Sequence, residues 1–92
     1  NTLYLWYISL DKDSPYYMCN IVSEDKSVIV SCPLKTKMPY VISKGKIFQN
    51  LKTNGCWNRY LLPFDIPETI TPKFVLKVIL WSIKDKDAIK IE

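Results

Sequence analysis

The segment YYMCNIVSEDKSVIVSCPLK (16–35) has the pattern of a β-hairpin, because two runs rich in β-branched and aromatic residues flank a polar break. A turn centred on Asp25 and Lys26 determines which residues of the two strands face each other. The opposed pairs are then Cys19–Cys32, Ile21–Val30 and Ser23–Val28. In this register the apolar residues share one face, and a slip by one residue would move them to the other.

The predicted register brings two cysteines within disulfide range, because opposed residues of antiparallel strands have Cα atoms about 4.5 to 5.5 Å apart. A Cys19–Cys32 disulfide would stabilise the fold by about 3 kcal/mol in the chain-entropy model. The alternative is a pair of buried thiols in a reducing compartment. Asp25-Lys26 is also a poor type I′ turn, so a longer loop with another pairing stays open. Cys56 is left over and would pair outside this segment.

The composition is that of one folded domain, with 92 residues of which 48% are hydrophobic and 24% are charged. We expect residues 1–92 to form a single β-sandwich domain and, because the first residue is Asn, to be a fragment of a larger protein. No apolar run is long enough to span a membrane. The predicted disulfide indicates an extracellular (secreted) or lumenal location, whereas three free cysteines would indicate the cytosol.

Further strand candidates alternate with turn signals along the rest of the chain. They are 2–10, 39–42, 46–52, 56–62, 73–83 and 88–91. Asn54-Gly55 favours a type I′ hairpin that joins the third and fourth of them, and prolines within 63–72 mark a loop without a helix. A weak helix within 40–52 is the only helical alternative. The pattern predicts an all-β fold, a small antiparallel immunoglobulin-like sandwich of about seven strands.

The residue types exclude most catalytic and metal sites. The chain has no histidine, which removes every imidazole-based triad and every His-containing zinc site. Its cysteines do not have CxxC spacing, and its two glycines form no phosphate-binding loop. The aspartates of 11–13 and 85–87 could contribute to a calcium site, but turn solvation accounts for them better. We therefore predict a protein that is not an enzyme and uses no metal or cofactor.

The middle of the chain is basic, because every charged residue between Asp25 and Asp65 is a lysine or arginine. The candidate partner-binding residues are Lys44, Lys46, Lys52, Trp57 and Arg59. In the predicted hairpin, Trp57 and Arg59 lie on the same side as Phe48, and an aromatic residue beside cations is typical of a binding hot spot. The alternative is a solvated lysine surface. Twelve lysines and one arginine argue against phosphate recognition.

Two of the predicted strands, 2–10 and 73–83, are apolar on both faces. A strand of a sandwich normally buries one face only. We therefore expect another domain, a partner chain or a ligand to cover the second face. The alternative is that large aromatic side chains stay partly exposed, as they often do.

The segment YLLPFDIPETITPKFVLKVILWSIKDKDAIKI (60–91) resembles the closing strands of the MD-2-related lipid-recognition domains. The shared features are an Ile-Pro before a second proline, a long alternating strand and an Asp-containing turn. Cys32-Pro33-Leu34 is similar to a Cys-Pro element of that family, whereas Ala88 and Ile89 stand where the family has a cysteine. The resemblance implies a sandwich that encloses a lipid between its sheets.

Three hypotheses on function follow from the sequence. The first is a protein-recognition module, a piece of an ectodomain, that binds a partner protein or a neighbouring domain through its basic central strands or through an apolar edge. The second is a lipid-binding sandwich. The third is a basic β-barrel that binds single-stranded nucleic acid, and it is the least favoured because no RNP-like aromatic pattern accompanies the basic residues.

Overall fold

The computed structural model describes residues 3–10, 16–36, 38–49, 51–53, 57–84 and 90–91. Within them the strands are β1 (Tyr4–Leu10), β2 (Tyr17–Ser23), β3 (Ile29–Pro33), β4 (Tyr40–Ser43), β5 (Ile47–Phe48), β6 (Leu51–Lys52), β7 (Asn58–Leu61) and β8 (Lys90–Ile91), and the helix is α1 (Pro72–Lys84). One antiparallel sheet has the order β1-β2-β3-β4-β7-β8, and β5 and β6 form a separate two-stranded ribbon. The protein is mostly β, so the prediction of an all-β fold is confirmed in part, and α1 is the exception to it.

The β2–β3 hairpin has the predicted register. Its opposed pairs include Cys19–Cys32, Asn20–Ser31 and Ile21–Val30. The N–H of Ser23 donates to the carbonyl of Val28 at 2.9 Å and closes the hairpin. The connection is a four-residue loop, 24–27, in which Lys26 has a φ of 61°. The longer loop leaves the register unchanged because its centre coincides with that of the predicted two-residue turn.

The carboxylate of Asp25 organises this loop. Its Oδ1 accepts hydrogen bonds from the hydroxyl of Ser23 at 2.7 Å, and from the N–H and hydroxyl of Ser27 at 3.0 and 2.8 Å. The Ser23 hydroxyl in turn accepts the N–H of Val28 at 3.0 Å. Because these bonds favour the charged carboxylate, the Ser27 N–H most of all, they lower the pKa of Asp25 to about 2.

Residues 73–83 form a helix, so the prediction of a strand there is wrong. The buried residues of α1 recur with a helical period and are Phe74, Val75, Val78, Trp81 and Ser82. Eight of the eleven positions of this segment are apolar, and such a run fits a strand and a helix equally well. The closed immunoglobulin-like sandwich is therefore wrong as well, because α1 takes the place of the second sheet among the described residues.

The start of α1 is capped by Thr71. The hydroxyl of Thr71 accepts the N–H of Phe74 at 3.2 Å, and its carbonyl accepts the N–H of Val75 at 3.1 Å. Pro72 is the first helical residue, a position at which its missing N–H removes no helical bond. The Thr-Pro pair thus starts a helix here, although the prolines of 63–72 had indicated only a loop.

The end of α1 is held by Gln49. The last four carbonyls of a helix have no partner within the helix. The N–H of Gln49 donates to the carbonyl of Ser82 at 2.7 Å, and its side-chain Nε2 donates to that of Trp81 at 3.1 Å. Gln49 is buried and has a φ of 52°. The helical alternative for 40–52 is also wrong, because β4, β5 and β6 occupy that range.

The core lies between α1 and one face of the large sheet. Its buried residues are Cys19, Ile21, Val28, Val30, Cys32, Val41, Phe48, Leu62, Phe74, Val75, Val78 and Trp81. The ring of Phe48 stacks on Tyr60 with 4.3 Å between centroids, and it meets Trp81 edge-on at 5.4 Å. The β5–β6 ribbon therefore joins the sheet to the helix through its own aromatic residue.

The predicted pairing of 46–52 with 56–62 is wrong. The first segment folds back on itself as β5 and β6, and β7 pairs with β4 and β8. Asn54-Gly55 lies outside the described residues. Phe48 is buried against Tyr60. The prediction that Phe48 lies on the same side as Trp57 is therefore wrong.

Replacing Asp25 with Asn tests the hairpin loop. Because the pKa of Asp25 in the folded state, about 2, lies below its ordinary value of 3.8, the carboxylate stabilises the fold above about pH 4 and loses this effect as the pH falls through about 2. We expect the wild type to unfold at higher urea concentration than Asp25→Asn near neutral pH, and the difference to shrink between about pH 4 and pH 2. Glu24→Gln, at a neighbouring exposed acid, should change little. A difference independent of pH would contradict this account.

Candidate functional site: the outer face of the sheet

The two faces of the large sheet have different surroundings. The inner face packs against α1, and the outer face points away from it. Five residues lie side by side across the outer face, and we call them the outer band: Leu5, Val22, Ile29, Lys44 and Trp57. Leu5 pairs with Val22 and Val22 with Ile29, and the N–H of Lys44 donates to the carbonyl of Ile29 at 2.8 Å. The two ends of the band are open, with Leu5 66% and Trp57 68% exposed.

Lys44 and Trp57 meet because of the β4–β7 register. Ser43 pairs with Asn58, so the next residue along β4 and the preceding residue of the β7 segment lie opposite each other. The Nζ of Lys44 stands 4.6 Å from the centre of the Trp57 ring. A cation over an exposed indole contributes about 0.5 to 1 kcal/mol. The contact orients an otherwise exposed tryptophan.

Arg59 makes a second contact of this kind on the same face. Its partner across the strands is Ile42, and its guanidinium Cζ lies 5.6 Å from the centre of the neighbouring Tyr40 ring. Tyr40 was not among the predicted site residues. The alternation of PYVI (39–42) places Tyr40 on the same face as Ile42. The sequence did not show that Ile42 pairs with Arg59, so it could not connect Tyr40 with Arg59.

Two of the five candidate residues lie apart from this pair of contacts. Lys46 precedes β5, where its carbonyl accepts the N–H of Thr53 at 2.9 Å. Lys52 is in β6, opposite Ile47. Both lysines are exposed. The structure thus assembles Lys44, Trp57 and Arg59 on the outer face and places the other two cations on the adjacent ribbon. A role of all five in partner binding stays a prediction.

The next row of the outer face has a polar centre. The side-chain amide of Asn20 donates from Nδ2 to the hydroxyl of Ser9 at 2.8 Å, and the hydroxyl of Ser31 donates to Asn20 Oδ1 at 2.8 Å. These bonds connect β1, β2 and β3 and satisfy the polar groups of a half-buried amide. No acidic residue occurs in any of the eight strands. The cations of the outer face therefore have no carboxylate beside them in the sheet.

Cys19 and Cys32 lie directly opposite each other on the inner face, both fully buried and both free thiols in this structure. Burial raises the pKa of the Cys19 thiol to about 11. The pKa of Cys32 is also raised, chiefly by burial and further by its neighbour Cys19. Their predicted opposition is confirmed, whereas a disulfide between them and the extracellular or lumenal location inferred from it stay predictions. Cys56 lies outside the described residues.

Within the described part of the chain, no group of three or more Cys, Asp or Glu side chains is placed to hold a metal ion. The same residues include no helix with the length and apolar character needed to cross a membrane. A surface groove of about 460 Å³ runs between α1 and the loop before it, and its lining residues are Pro63, Phe64, Lys77, Leu80, Trp81 and Lys84. The Nζ of Lys77 lies 4.4 Å from the centre of the Phe64 ring in this groove.

No protein-family model, no curated protein and no solved structure matches this chain. The resemblance of 60–91 to the MD-2-related lipid-recognition domains fails at its central element, because the long strand it implies is helix α1. Among the described residues, the inner face of the large sheet is filled by that helix and by Phe48 of the β5–β6 ribbon. The chemistry of the outer face therefore has to be argued from its own residues.

Alkylation with iodoacetamide tests the environment of the two buried thiols. Raising a thiol pKa from 9.0 to about 11 lowers its thiolate fraction about 100-fold near neutral pH. We expect mass spectrometry to show Cys19 and Cys32 unmodified in the folded protein. Unfolding in urea without reductant should then expose both if they are free, whereas a bridged pair would react only after reduction. Fast modification of either thiol in the folded protein would contradict the structure.

Proposed function

We propose that this chain is a non-enzymatic protein-recognition module whose outer face binds a partner segment carrying both acidic and apolar side chains. The observation that carries the proposal is Trp57, 68% exposed and held beside Lys44 at one end of the outer band. Tryptophan, tyrosine and arginine are enriched among the few residues that supply most of the binding energy of protein interfaces. A binding module of this kind needs no catalytic group.

The apolar part of the partner would lie along the outer band. Leu5, Val22 and Ile29 continue from Lys44 across the sheet towards β1. Leu5 has the most surface left to bury, because it is 66% exposed, whereas Val22 and Ile29 are already half-buried. The contact area of Trp57 adds to this, because an indole is large and loses little conformational freedom when it is buried.

The acidic part of the partner would lie over Lys44 and Arg59. Both cations are already positioned by aromatic rings, at 4.6 and 5.6 Å, so less side-chain entropy is lost when they bind an anion. The strands supply no carboxylate that would compete for them. Charge complementarity therefore favours an acidic partner and disfavours a basic one.

Single-stranded nucleic acid is the second candidate, because it also combines negative charge with flat rings. In both aromatic contacts, however, a cation lies over the ring and competes with a base for the stacking position. A lipid held between two sheets has less support, because the described residues fill the inner face with α1. We place the module outside the cell or in a lumenal compartment if Cys19 and Cys32 form a disulfide.

The proposal is tested with a fluorescently labelled decapeptide in which glutamate alternates with leucine. We expect this peptide to bind the wild type, as measured by fluorescence anisotropy, and the matching lysine–leucine peptide to bind at least tenfold more weakly. Trp57→Ala and Arg59→Gln should each weaken binding about tenfold. Their melting temperatures should stay close to that of the wild type, because both side chains are exposed.

Lys73→Gln is the matched control, since Lys73 is an exposed lysine on α1, away from the outer face. It should leave peptide binding unchanged. Equal binding of the acidic and basic peptides, or an affinity that Trp57→Ala leaves intact, would overturn the proposal. Tighter binding of a ten-residue oligothymidylate, with an affinity that falls steeply as salt is raised, would favour the nucleic-acid alternative instead.

A further inference from the structure

β1 is an edge strand without the features that normally prevent edge strands from pairing. It ends the sheet, and its one neighbour in the described sheet is β2. Its seven residues, YLWYISL, include no charge and no proline. Charged residues, prolines, bulges or short length are the usual means by which proteins keep an exposed edge from binding another strand. β1 has no charge and no proline and is seven residues long. It also has no bulge, because its pairing with β2 is regular along its whole length.

The backbone of β1 shows which groups are available for pairing. The N–H of Glu24 donates to the carbonyl of Leu3 at 2.8 Å, and hydrogen-bonded residues alternate along an antiparallel pair. The odd-numbered residues of β1 therefore face β2. The even-numbered residues point their N–H and C=O groups away from it, and no strand of the described sheet receives them. These residues are Tyr4, Trp6, Ile8 and Leu10.

We propose that β1 pairs antiparallel with β1 of a second copy of this chain, around a two-fold axis through Tyr7. Among registers that pair even residues with even residues, only this one uses all seven residues of the strand. It opposes Tyr4 with Leu10 and Trp6 with Ile8 as hydrogen-bonded pairs. Each copy then contributes four N–H donors and four carbonyl acceptors, and the two sheets become one.

The side chains of β1 complement themselves in this register. On the inner side Trp6 meets Ile8 of the other copy, and Tyr4 meets Leu10. On the outer side the two Tyr7 rings meet at the axis. Ile8, Tyr7 and Leu10 are 42%, 48% and 58% exposed in the single chain, so pairing removes apolar surface that the monomer leaves in water. Cross-strand aromatic and aliphatic pairs of this kind stabilise antiparallel strands.

A second copy is the occupant that the charge pattern favours. The chain carries a net charge of +4, so two copies repel each other wherever cations approach. The β1 edge carries no charge, and self-pairing there brings no like charges into contact. β1 offers no charge by which a foreign strand would be selected, whereas the register described above pairs its own aromatic and aliphatic residues with each other.

The dimer also has a consequence for the outer face. The two-fold axis of an antiparallel strand pair is perpendicular to the sheet, so both outer faces lie on the same side. Each Leu5 then lies opposite Ser9 of the other copy, so the two outer bands end on either side of the axis, offset by four residues along the paired strands. The two Trp57 residues lie at opposite ends of the combined outer surface. If the outer face binds acidic segments as proposed above, the dimer would bind a partner with two such segments by avidity. The pairing itself does not depend on that function.

Charge substitutions at the two-fold axis test this pairing. Tyr7 is an exposed outer-face residue, so Tyr7→Lys and Tyr7→Glu should each fold, but each would place two like charges side by side in the dimer. We expect light scattering after size exclusion to give twice the mass of one chain for the wild type and the mass of one chain for either variant. An equimolar mixture of the two variants should return to twice that mass. Leu76→Lys, at an exposed position of α1, should leave the dimer intact.

Amide hydrogen exchange of the wild type gives a measurement that needs no variant. The N–H groups of Trp6 and Ile8 should exchange at least tenfold more slowly at high protein concentration than at low, whereas those of Leu5 and Tyr7, already bonded to β2, should not change. The mass of one chain at every concentration would overturn the proposal. So would a dimer that both Tyr7 variants leave intact, or exchange at Trp6 that does not depend on concentration.

Discussion

The packing of α1 against the inner face of the sheet is the contact on which the other features of the structure depend. Full burial of Phe74, Val78 and Trp81 contributes about 1.5 to 3 kcal/mol each, and the whole domain has only about 5 to 15 kcal/mol of stability. The helix is capped at both ends, at its start by Thr71 and at its end by the two hydrogen bonds from Gln49. Without it, the apolar face of the sheet would lie in water.

Because one helix covers one face, the same packing decides which surfaces are left for binding. The outer face keeps its apolar band and its two cation–ring contacts, and the β1 edge keeps its outward backbone groups. In the sandwich expected from the sequence, a second sheet would have covered the inner face instead of α1. The outer face would have been equally exposed, but Gln49 would have had no helix to cap. The proposed partner site and the proposed dimer edge both belong to the one sheet.

The sequence predicted the parts of the fold that depend on the alternation of apolar and polar residues in strands. It failed where the apolar residues of one segment fit both the strand repeat and the helical repeat. The β2–β3 register follows from Ile21 and Val30 alternating with the polar Asn20 and Ser31. In 73–83 eight of the eleven positions are apolar, and the capping pair before this segment was the clearest sign of a helix. The Lys44–Trp57 contact could not be predicted from the sequence. The Asn-Gly signal paired the β7 segment with 46–52 instead of β4, and strand order depends on long-range packing.

The measurement that tests this account most directly is a nuclear magnetic resonance assignment of residues 72–84. We expect their Cα chemical shifts to be those of a continuous helix, and nuclear Overhauser contacts to join the ring of Trp81 to that of Phe48, whose centroids lie 5.4 Å apart. Extended-strand shifts over 73–83, with cross-strand contacts to a neighbouring strand, would contradict the account and restore the two-sheet arrangement.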